Sequence, residues 1–127
     1  MAKRTEEQLL NDIVKPQAIE YLRASCDKDF QVLSQGYPER ETSTWAFQLE
    51  ESRQYLKDST YPTPFISAAL REGESIEDYA NLIVANNDAW SVYAGSIVNK
   101  RREYTARIQG ATTRDEVKAI VEELEAS

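Results

Sequence analysis

Histidine is absent from the 127 residues, and the sequence has no glycine-rich phosphate loop of either common type. Without histidine, the chain lacks the commonest general base, the usual zinc ligand, and any Ser-His or Cys-His nucleophile pair. Adjacent acidic residues occur at Glu6-Glu7, Glu50-Glu51, Glu77-Asp78 and Glu122-Glu123. Neighbours on a helix point in different directions, so each pair is expected in a first turn or on an exposed face. We therefore expect no enzymatic activity, no metal and no cofactor.

Cysteine, long apolar runs and positive charge are also scarce. The single Cys26 cannot form an internal disulfide, and its place on an apolar stripe favours a small core residue over a reactive thiol. The sequence contains no run of about 18 apolar residues, so no transmembrane helix is predicted. The first residues lack the apolar core of a secretory signal. With 15 basic and 22 acidic residues, the net charge of −7 disfavours binding to nucleic acid and to anionic membrane surfaces.

Glycine and proline occur only four times each, and no segment alternates like a half-buried strand, so we predict an all-α protein. Its longest helix is expected to start at the N-cap Ser75 and to end at Gly110 in a left-handed conformation. Apolar residues recur there at steps of three and four, with Asn86 and Arg101 filling two gaps. This apolar stripe comprises Ile76, Tyr79, Ile83, Trp90, Tyr93, Ile97, Tyr104 and Ile108. Such a stripe must pack against other segments, so this helix is predicted to be central.

The N-terminal region, residues 1–36, is predicted to hold a first helix that begins with a capping box of Thr5 and Gln8 and closes at Gly36. Pro16 interrupts its apolar pattern, because a proline removes a hydrogen bond and clashes with the preceding turn. Two courses stay open. Either the helix kinks just before the proline, or a short separate helix precedes a main helix that starts at Pro16. In the second case the first dozen residues would form an arm able to reach a neighbouring chain.

Residues 37–127 are predicted to form the helical bundle domain. We expect a second helix over about 45–57, a short third helix over 64–71 with Thr63 as its N-cap, and a last helix after a capping box at Thr113. One face of each helix carries its apolar positions: Trp45, Leu49, Ser52 and Leu56; Phe65, Ile66, Ala69 and Leu70; Val117, Ile120, Val121 and Leu124. The predicted fold class is thus all-α, a bundle of about five helices around one long central helix.

Polar residues on the long helix have alternative interpretations. Lys100, Arg101, Arg102 and Arg107 form either a patch for an acidic partner or phosphate, or the favourable cationic end of a helix. Arg101 falls on the apolar stripe, where it would bury its stem and seek a carboxylate or a chain-end carbonyl. Asn86 also lies on the stripe, either as a core amide bonded to another helix or as a residue that fixes register.

Aromatic residues are numerous for one small core: seven tyrosines, two tryptophans and three phenylalanines. They either cap helix ends and line bundle edges, or they form a protein interface. If they form an interface, we expect it to use the exposed aromatics and the edge of the long helix. The candidate interaction residues are Trp45, Tyr55, Tyr61, Trp90, Tyr93 and Arg101.

A pattern of residues extends from Trp45 to Ile120, over somewhat more than half of the chain. It includes Trp45 with Gln48 and Glu51; Thr63-Pro64; Gly73-Glu74-Ser75-Ile76; Ile97 with Lys100 and Arg101; Ala111-Thr112-Thr113; and Val117 with Ile120. In this spacing the segment resembles a small domain recurrent in tailed bacteriophages and prophages. That domain occurs beside or fused to tail-fibre genes and is described as tail-fibre assembly or tail-assembly chaperone-like. The long helix here is more polar and aromatic than the alanine-rich helix usual in such domains.

The resemblance implies a non-enzymatic partner of a trimeric fibre, with no catalytic residues to transfer. The expected function is an assembly chaperone or small structural component that binds a tail-fibre or baseplate protein. Its expected location is the host cytoplasm during assembly, or the virion tail if it stays attached. The alternative is a small acidic phage regulatory protein that binds and inhibits a host protein, which the charge of −7 favours. The sequence leaves open whether the chain forms a homo-oligomer.

Overall fold

The structure, a computed structural model, describes residues 3–35 and 43–127. These residues form helices and contain no strand, which confirms the predicted all-α class. The elements are α1 (Glu6–Leu9), a π-helical turn (Leu10–Val14), α2 (Lys15–Leu33), α3 (Trp45–Lys57), α4 (Pro64–Ala69), α5 (Ile76–Gly110) and α6 (Arg114–Ala126). The predicted close of the first helix at Gly36 lies outside the described residues.

The chain forms two compact units, and α5 contributes to both. The first unit combines the residues up to Val32 with Ala94–Ser127, and the second comprises Leu33–Tyr93. Each unit therefore contains one half of the long helix together with the shorter helices of its own part of the chain. The domain boundary expected after residue 36 stays a prediction, because residues 36–42 are not described.

The N-terminal helical segment is continuous from α1 through α2. Thr5 and Gln8 form the predicted capping box, in which each backbone N–H donates to the other side chain, at 2.9 and 3.1 Å. Ahead of Pro16 the helix widens into the π-turn, where the Lys15 N–H donates to the Leu10 carbonyl. The wider turn lies where a proline ring would otherwise clash with the carbonyl four residues earlier. Leu10 is buried in the core of the first unit, so residues 3–12 do not form a separate arm.

The first unit is organised around one apolar core. Its buried residues are Leu10, Ala18, Leu22, Cys26, Tyr104, Ile108, Ala111, Val117, Ile120 and Leu124. Helices α2, α5 and α6 all contribute, and the last third of the predicted stripe on α5 faces this core as expected. Burial raises the pKa of the Cys26 thiol, while Lys100 acts in the opposite direction. A buried thiol with a raised pKa is a poor nucleophile, in agreement with its prediction as a core residue.

Polar contacts cap helix α6 at its start and pair it with α5 towards its end. At its start, Thr113 Oγ1 accepts from the Glu116 N–H at 3.1 Å, while the Glu116 carboxylate accepts from the Thr112 N–H at 2.8 Å. In a capping box the Glu116 carboxylate would accept from the N–H of the cap residue Thr113. Here it accepts from the N–H of Thr112, the residue before the cap. Towards its end, the guanidinium of Arg107 donates two hydrogen bonds to Glu123, one of them at 3.0 Å. Bidentate pairs of this kind fix orientation as well as distance.

Acidification should weaken the attachment of α6 through Glu123. The hydrogen bonds from Arg107 hold the pKa of Glu123 below its ordinary value of 4.5. Because the folded-state pKa lies below the unfolded-state pKa, the pair stabilises the fold above that ordinary value, and its contribution is lost as the pH falls through the folded-state pKa. Glu123→Gln should therefore lower the free energy of unfolding at neutral pH, with a smaller difference in acid. Urea unfolding over this pH range tests it, with Glu122→Gln as the exposed control; a difference that does not change with pH would contradict it.

In the second unit, a buried carboxylate from α3 holds the short helix α4. Glu51, only 9% exposed, accepts hydrogen bonds from the N–H of Ile66 at 3.0 Å and of Phe65 at 3.3 Å. Both donors lie in the first turn of α4, where N–H groups have no partner within the helix and favour an anion. One prediction is therefore wrong, because Glu51 does not lie on an exposed face. Thr63 occupies the predicted N-cap position before Pro64, but its side chain makes no cap bond, and its hydroxyl lies 2.9 Å from Ser67 Oγ.

Helix α3 has the bounds predicted from the sequence, while α4 ends at Ala69, two residues earlier than expected. On α3, Ser52 is fully buried and donates to the Gln48 carbonyl at 2.6 Å. Leu56 shares its predicted face but is exposed. The buried apolar side chains of this unit are Ile66 and Ala80, among the residues described. The second unit is thus sparsely buried compared with the first.

The long helix α5 begins as predicted, with the Asp78 N–H donating to Ser75 Oγ at 3.0 Å. Its apolar stripe is not continuous, however. Asn86, Tyr93 and Arg101 are exposed, so the prediction of Asn86 as a core amide is wrong. At the position before Arg101, Lys100 is turned inward and donates to Asp29 Oδ2 at 2.9 Å.

The end of α5 also differs from the prediction. Gly110 is the last helical residue and does not adopt a positive φ. Among the glycines that the structure describes, Gly73 does, with φ of 86°, in the turn that leads into α5. Only glycine adopts that backbone conformation at little cost, so the left-handed position lies before the long helix and not after it.

Candidate protein-binding cleft

The second unit contains an open cleft of about 370 Å³ between residues of α3 and the first half of α5. We call it the aromatic cleft. Its aromatic lining consists of Trp45 from α3 and Tyr79, Trp90 and Tyr93 from α5. Its aliphatic lining is Leu33, Leu49, Leu82, Ile83 and Ala89, and three amides complete it: Gln48, Asn86 and Asn87. Every one of these residues belongs to Leu33–Tyr93.

Two tryptophans form the centre of the aromatic cleft. The rings of Trp45 and Trp90 lie 5.9 Å apart between centroids, with 79° between their planes. This edge-to-face arrangement is a favourable one for aromatic pairs. Both residues are half-buried, and both line the cleft. The pair therefore joins α3 to α5 at the cleft.

The indole N–H of Trp90 is buried and has no hydrogen-bond partner among the described residues. A buried donor without an acceptor costs about 1–3 kcal/mol. Replacing Trp90 by phenylalanine removes that donor and keeps an aromatic ring against Trp45. We therefore expect Trp90→Phe to change the free energy of unfolding by less than about 1 kcal/mol, and Trp90→Ala to reduce it by about 2–3 kcal/mol. Urea titrations measure both; a loss above about 2 kcal/mol in Trp90→Phe would show that the N–H does have an acceptor.

Two apolar side chains that line the cleft are exposed to solvent, and one further exposed aromatic lies on α3. Tyr93 is 64% exposed and Leu82 is 51% exposed, and both line the cleft. Phe47, which is 71% exposed, lies on α3 two residues after Trp45. Large exposed apolar groups that adjoin one another are typical of interaction sites, whereas isolated ones are ordinary.

The structure brings together three of the six residues predicted for protein interaction: Trp45, Trp90 and Tyr93. Tyr55 and Tyr61 belong to the same unit but do not line the cleft; Tyr55 is half-buried and Tyr61 is exposed. Arg101 belongs to the first unit. The sequence analysis missed Leu82, although a leucine off the apolar stripe of a helix is itself a signal of a second apolar face.

Charge is distributed unevenly between the two units. Residues 33–93 contain four basic and ten acidic side chains, a net charge of −6 out of the −7 of the whole chain. Three exposed acidic residues adjoin cleft residues in the sequence: Glu50 follows Leu49, Asp78 precedes Tyr79, and Asp88 lies between Asn87 and Ala89. Arg53 is 3.9 Å from Asp88 in an exposed ion pair. The second unit therefore carries most of the net negative charge of the chain.

Neither the cleft nor the rest of the described chain contains a group of three or more side chains suited to hold a metal ion. Over those same residues, no helix combines the length and apolar character needed to cross a membrane. The polar groups of the cleft are amides and tyrosine hydroxyls, which donate and accept hydrogen bonds. Such a lining suits recognition of a partner surface.

The described residues thus form an all-α fold with an open aromatic cleft in the second unit. No protein-family model, curated protein or solved structure matches the chain.

Proposed function

We propose that this chain is a non-enzymatic protein that binds another protein through the aromatic cleft. The observation that carries the proposal is the grouping of Trp45, Trp90, Tyr93 and Leu82 along one open, half-buried site. Tryptophan and tyrosine are enriched among the residues that dominate binding energy at protein interfaces, because they bury a large area with few rotatable bonds. Covering the exposed parts of Tyr93 and Leu82 with a partner would remove apolar area from water.

The partner we propose is a tail-fibre or baseplate protein of a tailed phage, with the chain acting as an assembly chaperone or as a small fibre-linked component. The support for this partner is the resemblance of residues 45–120 to tail-fibre assembly domains. That segment includes the cleft residues Trp45 to Tyr93. In this proposal the chain acts in the host cytoplasm during assembly, and the virion tail is its location if it stays bound.

The test is an affinity-tagged full chain produced during infection or prophage induction, followed by mass spectrometry of the captured proteins and of purified particles. Capture of a fibre or baseplate protein from lysate, with absence from particles, would support a chaperone. A stoichiometric copy number in particles would support a structural component. Capture of no tail protein, together with absence from particles, would overturn the proposal.

Two matched variants connect this result to the cleft. Tyr93→Ser removes an exposed aromatic ring of the cleft, and Tyr21→Ser removes an exposed aromatic ring from α2 in the other unit. We expect the first to lose at least about 90% of the captured tail protein, since a central aromatic contributes about 2 kcal/mol or more to an interface. Tyr21→Ser should retain it. Equal losses in the two variants would show that the partner binds elsewhere.

A second candidate is an acidic regulatory protein that occupies the basic site of a host protein. The concentration of six of the seven net negative charges in residues 33–93 favours it. Its distinguishing result is salt-sensitive capture of a basic host protein, with no tail protein bound.

A further inference from the structure

We propose that the partner protein places an α-helix on one exposed face of α5, with an uncharged contact stripe and one polar residue opposite Asn86. This face consists of Leu82, Asn86, Ala89 and Tyr93, and we call it the α5 seam. All four residues are exposed, line the aromatic cleft and belong to the second unit. The inference rests on the proposed function in that a protein partner covers the cleft. It goes further by stating the form and chemistry of the segment that binds.

The spacing of the α5 seam indicates a helix as its occupant. Its residues follow one another at steps of four, three and four positions, so they form one narrow row along α5. The same alternation occurs where two helices pack along a shared seam, and an incoming helix contacts such a row with residues of equal spacing. Leu82 and Tyr93 provide large side chains at the two ends of the row. Ala89 is small, which allows the axis of a partner helix to approach closely.

The absence of charge on this part of α5 determines the chemistry of the occupant. Among the 15 residues from Tyr79 to Tyr93, Asp88 is the one charged residue, whereas 29% of the whole chain is charged. Asp88 lies about 120° around the helix from Leu82, and Arg53 pairs with it at 3.9 Å. Charged residues are depleted at the centres of protein interfaces, whereas a helix face that stays in water usually carries them. A charged residue of the partner would lose hydration on the α5 seam without gaining a counter-charge, so its contact stripe is uncharged.

Asn86 adds a polar requirement to this uncharged stripe. It is exposed, so water solvates its amide in the free chain. A helix lying along the α5 seam would bury that amide, and a buried amide without a hydrogen bond is costly. A polar, uncharged side chain opposite Asn86 supplies the bond. One such polar position in an apolar helix seam fixes the register of the two helices.

Charge also argues against other occupants of the α5 seam. A second copy of this chain, placed symmetrically on the same seam, would bring together two units of net charge −6. Nucleic acids and anionic lipid surfaces need clustered cations, and the seam has none. A helix of another protein, with an uncharged contact stripe, matches the seam in both spacing and charge.

The experiment is photo-crosslinking of the full chain during infection or prophage induction. In three single variants the photoreactive residue benzoyl-phenylalanine replaces Leu82, Ala89 or Tyr93. In the control it replaces Ser91, which is exposed about 180° around α5 from Leu82. We expect all three seam positions, and not Ser91, to crosslink to one partner protein. Absence of crosslinks from the seam, equal crosslinking from Ser91, or crosslinks to a second copy of this chain would overturn the proposal.

The crosslinked positions on the partner show whether its segment is a helix. Leu82 and Ala89 are seven residues apart, which is about 10 Å along α5. A partner helix lying along the seam covers that distance in about seven residues, whereas an extended segment covers it in about three. Mass spectrometry of the crosslinked peptides measures this spacing. We expect about seven, and a spacing of about three would overturn the proposal.

Two charge variants test the uncharged stripe. Asn86→Asp adds one negative charge within the α5 seam, and Ser91→Asp adds the same charge at an exposed position on the other side of the helix. The first should reduce capture of the partner at least tenfold, because the added charge would be buried without a counter-charge. The second should change capture less than twofold. Similar losses in the two variants would show a general charge effect, and increased capture with Asn86→Asp would show a cation opposite the seam; either result would overturn the proposal.

Failure of this inference can be distinguished from failure of the proposed function. If a tail protein is captured but the α5 seam gives no crosslinks, or crosslinks with the spacing of an extended segment, the partner helix is wrong and the function stands. If the seam crosslinks with helical spacing to a protein that is not a tail protein, the partner helix stands and the tail-fibre assignment is wrong.

Discussion

Replacing Ile108 by alanine should lower the free energy of unfolding by about 3–4 kcal/mol, one of the two largest effects that we expect from a single change in this chain. Ile108 has 0% exposure and lies in the core of the first unit, where α2 and α6 also contribute buried side chains. Removing three carbons there loses their transfer free energy and leaves a cavity that the surrounding helices fill only in part. Total stabilities of small domains are about 5–15 kcal/mol, so this change removes a large part of the whole.

Urea unfolding followed by circular dichroism measures the effect, and Val92→Ala is the matched control on the same helix. Val92 is 69% exposed, so its truncation removes little buried area, and alanine is the better helix former. We expect that control to shift the free energy of unfolding by less than about 0.5 kcal/mol. A comparable loss in both variants would contradict the burial of Ile108 and the position of the core.

The sequence predicted the parts of the fold that depend on local signals. The capping box at Thr5, the N-cap at Ser75 and the start of α6 after Thr113 are all present. The observed bounds of α3 match the predicted ones. In the sequence, Gly36-Tyr37-Pro38 and several short polar residues precede Trp45, and Asp58-Ser59-Thr60 follows Lys57. These signals act over three or four residues and need no knowledge of tertiary contacts.

The middle of the long helix could not be predicted in this way. Periodicity identifies residues that share a face, but it does not say whether another helix covers that face along its whole length. Tyr104 and Ile108 are buried because α2 and α6 contribute to the same core, whereas Asn86 and Tyr93 on the same stripe are exposed. The inward position of Lys100 rather than Arg101 follows from Asp29 and Ser25, which lie more than 70 residues away in the sequence.

The candidate site was predictable in its residue types but not in its grouping. An excess of aromatics indicated an interface, and Trp45, Trp90 and Tyr93 do line one cleft. Their grouping depends on α3 lying beside the first half of α5, which no local pattern specifies. The same limit explains Arg101, which the stripe placed among these aromatics although it belongs to the other unit.

Glu51 is the clearest case of a residue whose position local patterns do not predict. Its replacement has the second large effect on stability that we expect. As one of two adjacent acidic residues on a helix it was predicted to be exposed, yet its carboxylate caps another helix 14 and 15 residues further on. Glu51→Ala should therefore lower the free energy of unfolding by about 2–3 kcal/mol. The reason is that the N–H groups of Phe65 and Ile66 would lose a charged acceptor in a buried place. Helix α4 has only six residues and is too short to be stable through intrinsic helix propensity alone.

Two further variants isolate the role of the Glu51 carboxylate. Glu51→Gln retains one acceptor oxygen in a side chain of the same length, so it should lose about half as much as the alanine variant. Glu50→Ala changes the exposed neighbour, whose carboxylate accepts a hydrogen bond from the Gln54 side chain at 3.1 Å, and should cost less than about 0.5 kcal/mol. Amide exchange at Phe65 and Ile66 should accelerate in Glu51→Ala and stay near the wild-type rate in Glu50→Ala. If Glu50→Ala proved as destabilising as Glu51→Ala, the cap on α4 would not be what joins these two helices.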